Sequence, residues 1–198
     1  MCYNDYRAEN SQMKNEMSSE KQMCMMKEVI YMLRDKIYDF TNKIKKQFRT
    51  NDPYQLAKYL GIDVAYKHFG NLKGMYTVVN RCSYIYLHDE LDEATEKLVL
   101  THELGHHFFH KDLAEMGLQE YSLYDMTSKP EMEANIFAAN MLISDDDILF
   151  FGNQDYTSEQ AASELSVPNQ LVQIKLMDMN RRGYDFKLSI IPRADFLG

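Results

Sequence analysis

Positive charge is scarce in this chain: 22 Lys and Arg stand against 30 Asp and Glu over 198 residues, a net charge of −8. Phosphate backbones are bound by basic patches, so direct nucleic-acid binding is not expected. Long apolar runs are missing too. No stretch approaches the ~18–20 residues that cross a bilayer, and no membrane association is expected. Met1 to Lys27 is polar and charged, without the apolar core of a signal peptide. Cysteine is sparse, odd in number and without paired spacing: Cys2, Cys24 and Cys82. That excludes a disulfide framework and suits free thiols in a reducing cytoplasm. No internal repeat is present. The 45% apolar share supports a core for one domain, or one domain with an appendage.

What is present is His102-Glu103-Leu104-Gly105-His106, an H-E-x-x-H pattern inside the helix-competent run from Leu98 to Phe109. Residues four apart share one helix face, so His102 and His106 can bind one metal ion from the same side. Glu103 then points toward the open coordination position, where a general base for an activated water must stand. Apolar residues lie on several faces of this helix, which marks it as buried. Buried ionisable groups need a partner, and a metal ion is one.

Catalytic zinc takes three protein ligands. A third His would stand six residues past His106 in the metzincin pattern, but Asp112 is there, and Phe109 replaces the required Gly. The remaining source is a carboxylate from a second helix, Pro130 to Ile143. Glu131 and Glu133 compete. They lie about 200° apart around a helix axis, so only one can face the metal. Glu131 shares a face with Asn135, whose amide can hold the outer nitrogen of a ligating imidazole. This favours Glu131, leaving Glu133 a solvated carboxylate in the first helical turn. His110 is read as a capping or surface residue, not as a ligand. Tyr121 and Tyr124 are candidates to stabilise an oxyanion.

The pair H-E-L-G-H and E-M-E-A-N-I-F-A-A-N-M-L-I, residues 131–143, resembles the ImmA/IrrE metallopeptidases. Asp52 to Ile62 resembles the entry helix of that family, and Asn71 to Tyr76 its glycine turn. The likeness runs from about Asp52 to Gly183. It implies that His102, His106 and Glu131 bind Zn2+, that Glu103 is the catalytic base, and that the substrate is a helix-turn-helix repressor encoded nearby. It again selects Glu131. One departure is Ser144-Asp145-Asp146-Asp147, where the family often has Pro.

The fold class expected is α+β: a small antiparallel sheet of about three strands on a mainly helical, zincin-like core, with a C-terminal helical subregion. Residues 1–19 form a polar arm without periodicity. Residues 20–50 carry an amphipathic helix with Val29, Leu33, Ile37, Phe40, Ile44 and Phe48 at three- and four-residue steps. Its stripe must be buried on the domain or on a partner. Residues 51–150 form the peptidase core: a short helix from Tyr54 to Leu60, strands Asp63–Phe69, Gly74–Asn80 and Ser83–His88, then the two metal helices. Short links between consecutive strands predict antiparallel pairing. By resemblance to thermolysin-like enzymes, Tyr84 to Leu87 is a candidate edge strand for an extended substrate; a plain core strand is the equal alternative. Residues 151–198 form a helix pair and a tail packed on the core. Thr157 to Val172 looks like a helix-turn-helix, yet its second helix offers only Lys175 before Arg181 and Arg182. Structural packing is therefore expected. The function expected is site-specific zinc endopeptidase. The alternative is a DNA-binding or repressor-sensing module with a non-catalytic metal.

Overall fold

The computed structural model describes residues 36–112 and 128–186. The arm at 1–19, the first part of the amphipathic helix, Tyr121, Tyr124 and the tail beyond 186 lie outside the described residues. The chain runs α1 (residues 36–48), α2 (Pro53–Leu60), β1 (Asp63–Lys67), β2 (Gly74–Val79), β3 (Cys82–His88), α3 (Glu93–Phe109), α4 (Lys129–Leu142), α5 (Asp145–Asn153), α6 (Ser158–Glu164) and α7 (Asn169–Arg181).

Local chemistry sets most of these boundaries. Asp52 caps α2 by accepting the Tyr54 N–H at 3.0 Å, and Pro53 suits the first turn. Gly61 ends α2 in the left-handed conformation that favours glycine. Asp92 caps α3 through the Thr95 N–H at 2.9 Å. Ser128 caps α4. The Ser144-Asp145-Asp146-Asp147 departure is itself a helix start: Ser144 and Asp147 form a reciprocal capping box that opens α5. Thr157 and Gln160 do the same for α6.

The architecture is α+β, but the sheet is mixed, not antiparallel. Its order is β1-β3-β2, with β3 parallel to β1 and antiparallel to β2. The short link after β1 does reverse the chain. The error lay in taking sequential strands as neighbours: β3 inserts between β1 and β2. A two-residue turn at Asn80 and Arg81, both with positive φ, joins β2 to β3. That geometry matches the twist of a hairpin. The connection from β1 to β2 crosses the end of β3. His88 pins it there, donating from Nε2 to the Phe69 carbonyl at 2.6 Å and from its backbone N–H to the Lys73 carbonyl at 2.9 Å.

This order selects the core-strand reading of Tyr84 to Leu87. The central strand β3 is bonded on both sides, so this segment cannot serve as a substrate-binding edge. Among the described residues the edges are β1 and β2, and β2 lies against α3. Along β3 the side chains of Ser83, Ile85 and Leu87 are buried and those between them are half-covered, the alternation of a one-sided sheet.

The core lies where α3 crosses α4. Leu98, Leu100, Leu104, Ile136, Phe137 and Met141 are fully buried. Each such side chain contributes about 1.5–3 kcal/mol by leaving water. Residues 36–48 close one side. Ile37, Thr41 and Ile44 are buried, and Phe40 meets the rings of Phe108 and Phe109 edge-on at 5.1 and 5.2 Å. The apolar stripe of this helix, over its described part, is thus buried on the domain itself. At the other end α7 packs on α4 and α6. Leu171 to Leu176, Asp178 and Met179 are all buried. A helix covered on so many sides leaves few side chains to read base edges, which agrees with the packing role expected for this pair.

Candidate metal centre

Gly105 lets the two long helices meet. A Cβ there would lie 2.9 Å from the Ala134 Cα. The close crossing brings the first turn of α4 over the middle of α3, and three donors converge. His102 Nε2 lies 3.0 Å from His106 Nε2 and 3.1 Å from Glu131 Oε2, and His106 Nε2 lies 3.3 Å from Glu131 Oε1. All three residues are buried.

The outer nitrogens reveal what the inner ones carry. His102 Nδ1 lies 3.0 Å from Asn135 Oδ1, an acceptor, so Nδ1 holds the proton and Nε2 a lone pair. His106 Nδ1 lies 3.0 Å from His110 Nδ1, and His110 Nε2 lies 2.8 Å from Glu133 Oε2. The carboxylate accepts a hydrogen bond from His110 Nε2–H, so His110 Nδ1 carries the lone pair that accepts from His106 Nδ1–H. His106 Nε2 then also presents a lone pair. Two lone pairs and a carboxylate facing one another at 3.0–3.3 Å call for a cation between them. In a tetrahedral zinc site with ligands at about 2.0–2.1 Å, neighbouring ligand atoms lie roughly 3.3 Å apart. The donor set and its spacing fit such an ion.

Glu103 sits beside this triangle without joining it. Its carboxylate accepts the backbone N–H of Tyr76, on β2. Burial pushes its carboxyl up to about 7; the His106 charge opposes the rise and the Glu131 charge adds to it. Gly74 makes room for it: a Cβ at Gly74 would lie 2.3 Å from Val99 Cγ1 and 3.0 Å from Glu103 Oε1. Gly74 starts β2, as the sequence predicts, with the strand pressed against α3. The Tyr76 side chain is held elsewhere, with its hydroxyl 3.0 Å from His107 Nδ1 and 3.1 Å from Ser83 Oγ.

Residues 57–177, more than half of the chain, match the model of the IrrE N-terminal-like domain. The chain belongs to the IrrE N-terminal-like family of metallopeptidases. The "Uncharacterized immunity region protein 2" of Bacillus phage phi105 is 31% identical over 134 residues, which cover 67% of this chain and 84% of that protein. The "Metallopeptidase ImmA" of Bacillus subtilis strain 168 is 25% identical over 150 residues, 73% of this chain and 88% of that protein.

Against the family expectation, His102, His106 and Glu131 stand together, Glu103 stands next to them, and Asn135 reaches the outer nitrogen of His102. One reading needs correction. Glu133 is not solvated; it is buried and bonded to His110. His110 caps α3, the first of the two roles expected for it, and is buried. Gly74 and Tyr76 gave no chemical signal in the sequence. His110 did give one, since it follows His106 by four residues.

Proposed function

We propose that this chain is a zinc-dependent endopeptidase in which His102, His106 and Glu131 hold the metal and Glu103 is the general base. The observation that carries this reading is the convergence of the three donors, with the outer nitrogens of both imidazoles already engaged. When bound, zinc supplies Lewis acidity, activating water and polarising a peptide carbonyl. Glu103 receives the proton of the attacking water at its carboxylate and delivers it to the leaving amine. Its burial suits this duty, because a base shared between water and amine works best near neutrality. Asn135 keeps His102 in the tautomer that ligates. The edge of β2, beside Glu103, is the place for an extended substrate backbone.

The substrate we infer is a helix-turn-helix repressor cut at one site. Two lines support it: the resemblance to ImmA/IrrE peptidases and the likeness to a phage immunity region protein. An acidic chain also approaches a basic DNA-binding protein readily. Specificity then comes from contacts away from the scissile bond. The apolar stripe of α1 and most of α7 are spent on folding, which leaves their outer faces for this purpose. The test incubates the zinc-loaded chain with the repressor encoded next to its gene and with casein. Cleavage of the repressor alone, lost in Glu103→Gln, supports the reading. Rapid cleavage of casein indicates a general peptidase, and duplex DNA binding without any cleavage indicates a regulatory module.

A further inference from the structure

The two imidazoles of the metal triangle are held by different partners. His102 leans on a neutral amide, the Asn135 side chain. His106 leans on His110, and His110 leans on a carboxylate, Glu133. We propose that His110 and Glu133 are positioning residues that orient His106 and strengthen it as a metal ligand. The inference rests on the metal reading above.

The geometry makes this a built relay. His106 to His110 spans one turn of α3, and His110 to Glu133 crosses to α4. The links are 3.0 and 2.8 Å, and all three residues are buried. Glu133 accepts a hydrogen bond from His110 Nε2–H, which keeps the proton on Nε2 and places the lone pair of the ring on Nδ1. His106 can satisfy that lone pair only by donating from its own Nδ1. Its Nε2 is thereby turned, unprotonated, toward His102 and Glu131. Without His110 the ring of His106 could rotate or present N–H to the metal. The negative end of the relay adds a second effect. A carboxylate behind a hydrogen-bonded imidazole increases the electron density on its far nitrogen and so its strength as a donor. Its other oxygen lies 3.7 Å from Lys129 Nζ, whose ammonium stays exposed.

The arrangement also accounts for a second buried carboxylate two residues from Glu131. Glu131 and Glu133 project from opposite sides of α4. One meets the metal triangle directly and the other meets it from behind, through two rings. A simple brace between α3 and α4 would need neither a carboxylate nor this proton order.

The test measures zinc affinity of the full chain by competition with a chelator, for wild type, His110→Phe, His110→Asn and Glu133→Gln. Melting of each zinc-free protein is recorded alongside. His110→Phe should bind zinc about 10–100-fold more weakly, the range found when such outer partners are removed. His110→Asn places a carbonyl oxygen near the lost Nδ1 and should recover part of that loss. Glu133→Gln keeps an acceptor but loses the charge and should fall between wild type and His110→Phe. A cobalt-loaded His110→Phe should show an altered ligand-field spectrum, which His110→Asn partly restores. Affinities within twofold of wild type for all variants would overturn the relay. So would losses that merely track lower melting temperatures, with no rescue by Asn. If wild type itself cannot bind zinc, the metal reading fails and the relay with it. Tight wild-type binding indifferent to these variants defeats the relay alone.

Discussion

Gly105 and Ala134 touch at the crossing of α3 and α4, with no space for a side chain between them. A Cβ at position 105 would lie 2.9 Å from the Ala134 Cα, 3.2 Å from its Cβ and 3.3 Å from its carbonyl oxygen. The contact is backbone against backbone, so no rotamer change relieves it. Gly105→Val should therefore force the helices apart. We expect a stability loss of about 1–3 kcal/mol from overpacking. Zinc binding should weaken as well, because Glu131 rides on α4 and the two His on α3. Calorimetry and metal analysis check this. An unchanged melting temperature with full zinc content would show that the crossing is not what sets the site.

The roles assigned to Glu103 on α3 and Glu131 on α4 separate by mutation. Glu103→Gln leaves the three donors in place and should retain close to one zinc per chain. It should lose about 10²–10⁴-fold in peptide hydrolysis, the usual contribution of a positioned acid–base group. Glu131→Ala should lose the metal as well as the activity. Metal content and a cleavage assay on each variant decide it. Zinc loss in Glu103→Gln equal to that in Glu131→Ala would make Glu103 a ligand and undo the mechanism.

What could be read from the sequence was mostly local. The short helix from Tyr54 to Leu60 and the Pro130 start of the glutamate helix could be read because capping and first-turn preferences act within a few residues. The spacing of His102 and His106 announced a shared face for the same reason. Glu131 could be preferred over Glu133 because both positions and Asn135 lie on one helix. What could not be read depended on neighbours distant in sequence. The insertion of β3 between β1 and β2 is a choice of sheet order, and short links do not encode it. The need for glycine at the start of β2 shows only when Val99 and Glu103 of α3 are placed against Gly74. Glu133 looked solvated because half of an ordinary surface helix is. Here α4 is buried on every side from Glu131 to Met141, so Glu133 had no solvated face to occupy.

Far from the metal triangle, Asp145 ties three elements together. It accepts from Lys175 Nζ at 2.6 Å, from Arg182 Nη1 and Nη2 at 2.5 and 2.9 Å, and from the Tyr38 hydroxyl at 2.9 Å. Burial alone would raise its carboxyl, but the hydrogen bonds from Arg182 and Lys175 and the Lys175 charge outweigh that and hold it below the usual carboxylate range. A depressed folded value stabilises the protein above the unfolded pKa of about 3.9. That stability is lost as pH falls through the folded value. Acid unfolding followed by circular dichroism should accordingly show a shallower acid limb in Asp145→Asn. At neutral pH the same change should cost on the order of 3 kcal/mol, because it strips a buried Lys175 of its counter-charge. Parallel acid limbs in the two proteins would show that Asp145 is not the group responsible.

Gly74 offers a way to disturb the chemistry without touching a metal donor. A methyl group at Gly74 would collide with Val99 Cγ1 at 2.3 Å and approach Glu103 Oε1 at 3.0 Å. Val99 is fully buried and cannot swing away. Strand β2 must then retreat from α3, or Glu103 must turn. Either movement breaks the bond from the Tyr76 N–H to the Glu103 carboxylate and misplaces the base. The donors on α3 and α4 do not depend on β2. Gly74→Ala should therefore keep its zinc, melt lower by a few degrees and lose most of its peptidase activity. If β2 also holds the substrate backbone, KM should rise while kcat falls. Wild-type kinetics in Gly74→Ala would mean that β2 does not position Glu103, and loss of zinc would mean that the sheet, and not the helix crossing alone, supports the metal triangle.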